Sequence, residues 1–439
     1  MNPSSPESTA GSPSENSEPV SENAEPASDN SGSASQNGSA APSVDPFASA
    51  QLGPITLRNR IIKAATFEGV MPEALVTPEL IEYHRVVAAG GVGMTTVAYL
   101  AVSPEGRTHA ECLWMREAAI PGLTKLTEAI HAEGAKISGQ IGHGGIVANG
   151  KSNQAQSIGP SKQFNPISFR SVKEATEADI ARVLKDFAKA ARIAVTSGFD
   201  CLEIHLGHNY LPSSFLSPRL NKREDSWGGS LKNRAKFARQ AVLSVREEVD
   251  GEVAVIAKLN MKDGIPDGLD IEESLEVAQM LEEDGGLDAL ELTGGSSYGN
   301  PMYLFRGEAP LKEFAKTLPP IPRLGFKLMG KKMMPSYPFK EAFFRDNAHR
   351  YLERLNLPII LLGGINELET IKSALNEGFA FVAMGRALLR TPDLIARMQA
   401  GEMAKGICIH CNKCMPTIYS GTRCYLDNPE PIKGSAPVA

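Results

Sequence analysis

The first fifty residues contain no lysine or arginine and no aromatic residue before Phe47. They are mostly Ser, Pro, Glu, Asn, Gly and Ala. A segment so poor in apolar side chains cannot offset its ordering entropy by burial, so residues 1–45 are expected to form a disordered acidic tail. Without a basic start or an apolar stretch, this segment is not expected to be a signal peptide. Nor does any run in the sequence approach the roughly 18 apolar residues that mark a membrane span.

Positive charge is not in excess either. Seven of the 51 acids lie in the first fifty residues, which leaves 44 acids against 45 bases in the remainder. The formal charge of −6 therefore belongs to the tail, and the basic footprint of a nucleic-acid binder is missing. Cysteine is scarce at six residues, yet four of them crowd the C-terminal end. That distribution fits a metal or redox cluster in a reducing compartment better than a disulfide framework. The expected setting is cytoplasmic, with a small-molecule substrate and with neither a nucleic-acid nor a membrane partner. A homo-oligomer or an electron-transfer partner stays open.

What is present is an ordinary globular composition, 42% hydrophobic and 22% charged. After the tail, short apolar runs alternate with helical patterns, which is the signature of parallel strands joined by crossover helices. Strands are expected at Arg60–Phe67, Gly93–Val102, Lys136–Gly142, Cys201–His208, Ala254–Met261, Ala289–Gly295, Pro358–Gly364 and Phe381–Leu388. Helices are expected between them, among them Glu177–Ser197, Leu231–Val249 and Pro338–Leu355. Eight strands fit an α/β fold of the (β/α)8 TIM barrel type over residues 46–400, with an insertion around 298–350 and a cysteine-rich segment over 401–439. A doubly wound open sheet would carry a glycine-rich strand-to-helix turn near its start, and none stands in the right context.

Strand alternation locates the chemistry. In the fourth strand Leu202, Ile204 and Leu206 share one face and Cys201, Glu203 and His205 the other. In the fifth, Val255, Ala257 and Leu259 oppose Ile256, Lys258 and Asn260. The apolar faces must meet the helix ring, so the polar ones point inward. Gln140, His205, Lys258 and Thr293 then stand near strand ends inside a barrel, a costly placement unless a polar ligand sits there. Glu203 and Glu291, deeper in, read as a satisfied buried network. The seventh and eighth strands end in Gly363-Gly364 and Gly385-Arg386. Glycines admit an anion close to backbone N–H groups, and barrels often hold phosphate at these two loops. Arg386 adds a charged contact.

These residues carry a family resemblance. The stretch from Glu203 through His205, His208, Asn209 and Tyr210, continuing by Phe215-Leu216-Ser217-Pro218 to Gly228-Gly229-Ser230 and Asn233-Arg234, resembles the signature of the old yellow enzymes, the NADH:flavin oxidoreductases. Leu57-Arg58-Asn59-Arg60-Ile61, Gly90-Gly91-Val92-Gly93 and Gln140-Ile141-Gly142-His143 are similar too, so the resemblance covers roughly residues 50–425. It implies FMN at the barrel mouth, with NAD(P)H as transient reductant and an activated alkene as acceptor. By position, Ala64, Ala65, Thr66 and Phe67 would line the flavin, and Gln140 would bond its pyrimidine edge. Lys258 would sit near N1 and the C2 carbonyl. Gly363, Gly364, Gly385 and Arg386 would take the phosphate. His205 and His208 would bind a substrate carbonyl oxygen, where two N–H donors stabilise growing negative charge, and Tyr210 would supply the proton.

The sequence departs from the family pattern in places. Ala65 stands where Pro is usual, Thr66 where Met is common, Lys258 where Arg is commoner, and Tyr99 where a small residue is expected. Cys408, Cys411, Cys414 and Cys424 resemble the cluster segment of the 2,4-dienoyl-CoA reductase branch, with shorter gaps after the first. Three close thiolates and a distant fourth suit a [4Fe–4S] cluster or a zinc knuckle, and a hairpin of free thiols is equally open. Two other functions compete with the ene-reductase: a flavin-dependent dehydrogenase with an external acceptor, and a non-catalytic FMN and cysteine redox sensor.

Overall fold

The computed structural model describes residues 43–165, 168–318, 320–418, 420–432 and 438. Eight parallel strands close a barrel in sequence order. They are β1 (Ile61–Phe67), β2 (Met94–Ala101), β3 (Lys136–Gly142), β4 (Cys201–Leu206), β5 (Ala254–Asn260), β6 (Ala289–Thr293), β7 (Ile359–Leu362) and β8 (Phe381–Met384). Most of the expected tail lies outside the described residues. Its last three, 43–45, are described, and there the Val44 N–H donates to Asn376 Oδ1 at 2.8 Å.

Long helices cover the barrel where the sequence provides both a cap and an apolar stripe. The helix α1 (Pro78–Ala89) starts at Thr77, whose hydroxyl accepts from the Leu80 N–H at 3.2 Å. Thr176 and Asp179 form a reciprocal capping box at the start of Glu177–Thr196, an arrangement worth about 1 kcal/mol per cap. Ile180, Val183, Phe187, Ala190, Ala191 and Ala194 then recur at helical spacing and are buried. Among the described residues no helix is long and apolar enough to cross a membrane.

The barrel interior is layered. Ile62, Met94, Cys201, Ala254, Ile256, Ala289, Ile360 and Phe381 form an apolar floor, and Leu52 and Leu57 of the hairpin pairing Ala50–Leu52 with Ile55–Leu57 pack onto it. Above the floor the inward residues become polar. Leu202, Ile204 and Leu206 belong instead to the cluster under the helices, as alternation requires.

Several boundaries differ from the sequence expectation. β4 stops at Leu206 because His208 and Asn209 take left-handed φ of 57° and 60°, which no strand accommodates. β8 stops at Met384, and Arg386–Arg390 is helical. The helix expected over Pro338–Leu355 is confined to Arg345–Leu352, since Ala342 has a φ of 49° and the Glu341 carboxylate is committed to the Asn366 and Glu367 N–H groups. The insertion carries helices Pro301–Phe305, Leu311–Thr317 and Pro320–Met333. The cysteine segment returns to the end of β1, where the Thr422 N–H donates to the Glu68 carbonyl at 2.7 Å.

Candidate active site

Register brings the polar interior together. Lys258 on β5 pairs with His205 on β4 and with Glu291 on β6, and Gln140 on β3 pairs with Glu203 on β4. Lys258 Nζ lies 2.6 Å from Glu203 Oε1 and 2.9 Å from Glu291 Oε1. The Gln140 amide donates to the same Glu203 oxygen at 2.5 Å. Burial alone would lower the Lys258 pKa, but the two carboxylates outweigh it and raise it. Desolvation and the neighbouring Glu203 hold the Glu291 carboxyl up at about 8, although Lys258 pulls the other way. The network places a buried ammonium between the Glu203 carboxylate and the Glu291 carboxyl beneath the mouth.

His205 and His208 stand directly above. His208 Nδ1 is 3.2 Å from His205 Nε2, and His208 Nε2 is 3.0 Å from Thr293 Oγ1. The left-handed turn at His208 is secured by Asn260, whose side-chain oxygen accepts the His208 N–H at 3.1 Å. Both imidazoles are held neutral. Burial, with help from neighbouring Lys258, lowers His208 to about 3, and burial with His208 and Lys258 lowers His205 well below the usual range. Each neutral ring keeps one N–H to donate. Tyr210 sets its ring edge-on to His205 at 4.4 Å between centroids and to Tyr99 at 5.2 Å. His205, His208 and Tyr210 thus form one cluster.

The remaining candidates lie around this centre. Ala64 is buried, while Ala65, Thr66 and Phe67 are half-buried at the end of β1. Gly363 and Gly364 have φ of 117° and 77°, which only glycine adopts without strain. A Cβ at Gly385 would meet nothing within 4 Å, so open space adjoins that backbone. Arg386 is oriented differently from its neighbours. Its guanidinium donates to the Arg306 carbonyl and to Asn412 Oδ1, and it lines a small pocket with Cys408, Cys411, Cys414 and Cys424. All four cysteines are free thiols. Among the described residues no group of three or more His, Cys, Asp or Glu side chains is gathered as for a single metal ion.

These residues fit FMN on two observations. His205 Nδ1, at the mouth, is buried without a hydrogen-bond partner among the described residues, a cost of about 1–3 kcal/mol that a polar ligand removes. Gly385 also leaves open space beside the strand end where a phosphate approaches backbone N–H groups.

Sequence reasoning missed two features. Asn260 positions His208 through a contact between strands, and only its inward parity signalled it. Glu68, just past β1, is buried. Its Oε1 lies 3.0 Å from His84 Nε2 and accepts the Ala98 N–H at 3.0 Å, while its carbonyl receives the cysteine segment. A charged residue at a strand end was the available signal.

A profile of the NADH:flavin oxidoreductase / NADH oxidase family matches residues 46–291. The chain is 55% identical over 388 residues to a 4,4'-dithiodibutanoate disulfide reductase of Rhodococcus erythropolis, covering 88% of this chain and 96% of that one. It is 31% identical to a metal reductase of Desulforamulus reducens over 85% of this chain, and spans about half (52%) of that protein's length. Among solved structures, a 2-naphthoyl-CoA reductase shares the fold with a TM-score of 0.72 at 24% identity, covering 85% of this chain and 55% of that one. A morphinone reductase shares it with a TM-score of 0.64 at 22% identity, covering 83% and 93%. The chain therefore belongs to the NADH:flavin oxidoreductase / NADH oxidase family, and with it to the FMN-dependent NAD(P)H oxidoreductases.

Proposed function

We propose that this protein uses NAD(P)H to reduce a small organic disulfide to two thiols. One observation carries the reading: the 55% identity with a disulfide reductase extends over nearly the whole length of both chains. Bound FMN supplies two-electron transfer between the nicotinamide and the acceptor. Gln140 and Lys258 would hold its ring edge, Ala64, Ala65, Thr66 and Phe67 would line it, and Gly363, Gly364 and Gly385 would hold its phosphate, whereas the Arg386 guanidinium is engaged by Asn412 and the Arg306 carbonyl. One NAD(P)H and one proton reduce one disulfide: the S–S bond breaks and both sulfurs leave as thiols. His208 donates its N–H to His205 Nε2 and positions that ring, the neutral N–H at His205 Nδ1 stabilises the departing thiolate, and the Tyr210 hydroxyl protonates it.

A second reading keeps the site and changes the acceptor. The clustering of His205, His208 and Tyr210 also suits an activated alkene, with the histidines receiving an enolate oxygen and Tyr210 protonating the α-carbon. We further read Cys408, Cys411, Cys414 and Cys424 as holding a [4Fe–4S] cluster, because all four thiols line one pocket. Such a cluster passes single electrons. Iron and acid-labile sulfide analysis of anaerobically purified protein tests that part, and absence of both sinks it.

Anaerobic stopped-flow tests the acceptor. Protein reduced by NADH or NADPH is mixed with 4,4'-dithiodibutanoate or with 2-cyclohexenone. Faster reoxidation by the disulfide is expected. Reoxidation by the enone alone would establish the second reading, and reoxidation by neither would end both.

A further inference from the structure

The insertion carries a surface that the active site does not use. In the helix Pro320–Met333, Leu324, Leu328, Met329 and Met333 are 65%, 79%, 49% and 53% exposed. Its opposite face is engaged: Phe326 packs with Met302, Met334, Met415, Leu311 and Phe314. The exposed apolar residues are therefore not a helix facing the wrong way. Leu324 and Leu328 are four residues apart and form one outward ridge. Lys327, Lys331 and Lys332 stand beside that ridge and are exposed. None of the three has an ion-pair partner among the described residues.

The charge is local. Residues 311–333 contain Lys312, Lys316, Arg323, Lys327, Lys331 and Lys332 against Glu313 alone, in a chain with a formal charge of −6. Exposed leucine and methionine bordered by unpaired ammonium groups on one helix is the composition of a helix lying in a membrane interface. A nucleotide or another free polyanion would use the lysines and leave Leu324 and Leu328 in water. A second copy docking through the same face would bring two positive surfaces together, a repulsive arrangement. An anionic bilayer satisfies both parts of the surface at once: acyl chains take the ridge and headgroups take the ammonium groups.

We propose that the helix Pro320–Met333 docks this protein peripherally on anionic lipid membranes. This departs from the sequence expectation of no membrane partner, which rested on the lack of a spanning run. Interfacial docking needs no spanning run, only one amphipathic helix. The insertion follows β6, so docking brings the side of the barrel that holds the active site towards the bilayer.

The test is co-sedimentation of the full-length, flavin-loaded protein with vesicles of phosphatidylcholine alone, or of phosphatidylcholine and phosphatidylglycerol in equal parts. Binding to the anionic vesicles, weakening as salt is raised, is expected. A Lys331→Gln/Lys332→Gln variant should bind about thirtyfold more weakly, from about 1 kcal/mol per basic residue. Leu324→Gln/Leu328→Gln should also lose binding. Both variants should keep wild-type NAD(P)H oxidation, because neither pair touches the barrel interior. The proposal is overturned if wild-type protein stays in the supernatant with both vesicles, or if both variants sediment like wild type. It is also overturned if sedimentation velocity shows a dimer that the leucine variant disperses, since the surface would then serve a second copy.

Discussion

His208 Nδ1 lies 3.2 Å from His205 Nε2, so each imidazole is positioned by the other. One ring donates to the other and the second accepts, because both are neutral. His205 Nδ1 is left as a buried nitrogen without a partner among the described residues. Losing either ring therefore removes a donor and frees its partner to turn. His205→Ala and His208→Ala should each slow flavin reoxidation by the acceptor by about 10² to 10³. Flavin reduction by NAD(P)H should change much less, and single-turnover stopped-flow separates the two. Equal slowing of both steps would mean that the pair is only a scaffold.

Neutral buried histidines also leave a mark on stability. Below pH 6.5 an unfolded His208 gains a proton, while the folded one stays neutral until about pH 3. The contribution of the buried ring is thus fully present above pH 6.5 and is lost as pH falls from there towards 3. His208→Asn should flatten the acid-side decline between those values, measured by urea unfolding at stepped pH. An unchanged slope would show that this imidazole takes up its proton in the folded state.

Glu291 acts with the opposite sign. Its carboxyl is raised to about 8 by burial and by Glu203, so the folded state holds a proton that the unfolded state releases above about pH 4.5. That contribution is present in acid and lost as pH rises through 8. Glu291→Gln should reduce the alkaline loss of stability, and a steeper loss in the variant would contradict the assignment.

Lys258 is bound by the buried Glu203 carboxylate at 2.6 Å and the buried Glu291 carboxyl at 2.9 Å. Lys258→Met should destabilise the protein by about 3–5 kcal/mol, because it leaves buried negative charge without a counter-ion. Adding Glu203→Gln to that variant should restore part of the loss. A double variant less stable than Lys258→Met by the full cost of a second independent lesion would mean that the pair is not coupled.

Two glycines separate the fold from the cofactor. Gly363 has a φ of 117°, and its Cβ would come within 2.6 Å of Phe344. Gly363→Ala should therefore lower stability by about 1–3 kcal/mol whether or not flavin is present. Gly385 borders open space, so Gly385→Ala should leave the apoprotein's unfolding midpoint unchanged and weaken FMN binding, read by fluorescence titration. Unchanged FMN affinity in Gly385→Ala would place the phosphate elsewhere.

Much of the barrel was legible because strand parity is a local property. The alternation of Leu202, Ile204 and Leu206 with Glu203 and His205 identified the inward face before any partner strand was known. The polar set Gln140, His205, Lys258 and Thr293 could be found on the same ground, since each breaks the apolar rule for a barrel interior. Boundaries were less legible. The end of β4 depends on left-handed backbone at His208 and Asn209, held by Asn260 from a strand more than fifty residues later. The length of the helix Arg345–Leu352 depends on Glu341 bonding the Asn366 and Glu367 N–H groups rather than on its own helical pattern.

The eight strands in order, the inward face of the third to sixth of them and the two glycine-bearing ends follow from the sequence, because periodicity and backbone freedom are read residue by residue. Only the tertiary structure decided which groups meet. Register put Gln140, Lys258 and Glu291 around Glu203, and it set His208 between His205 and Thr293. Packing turned Arg386 towards Asn412 and the cysteine pocket, and it left Leu324 and Leu328 facing water beside exposed lysines. Apart from the His205–His208 pair, contacts of this kind join residues tens to hundreds of positions apart. They are fixed by strand register and by what each side chain displaces on packing, neither of which a single strand or helix encodes.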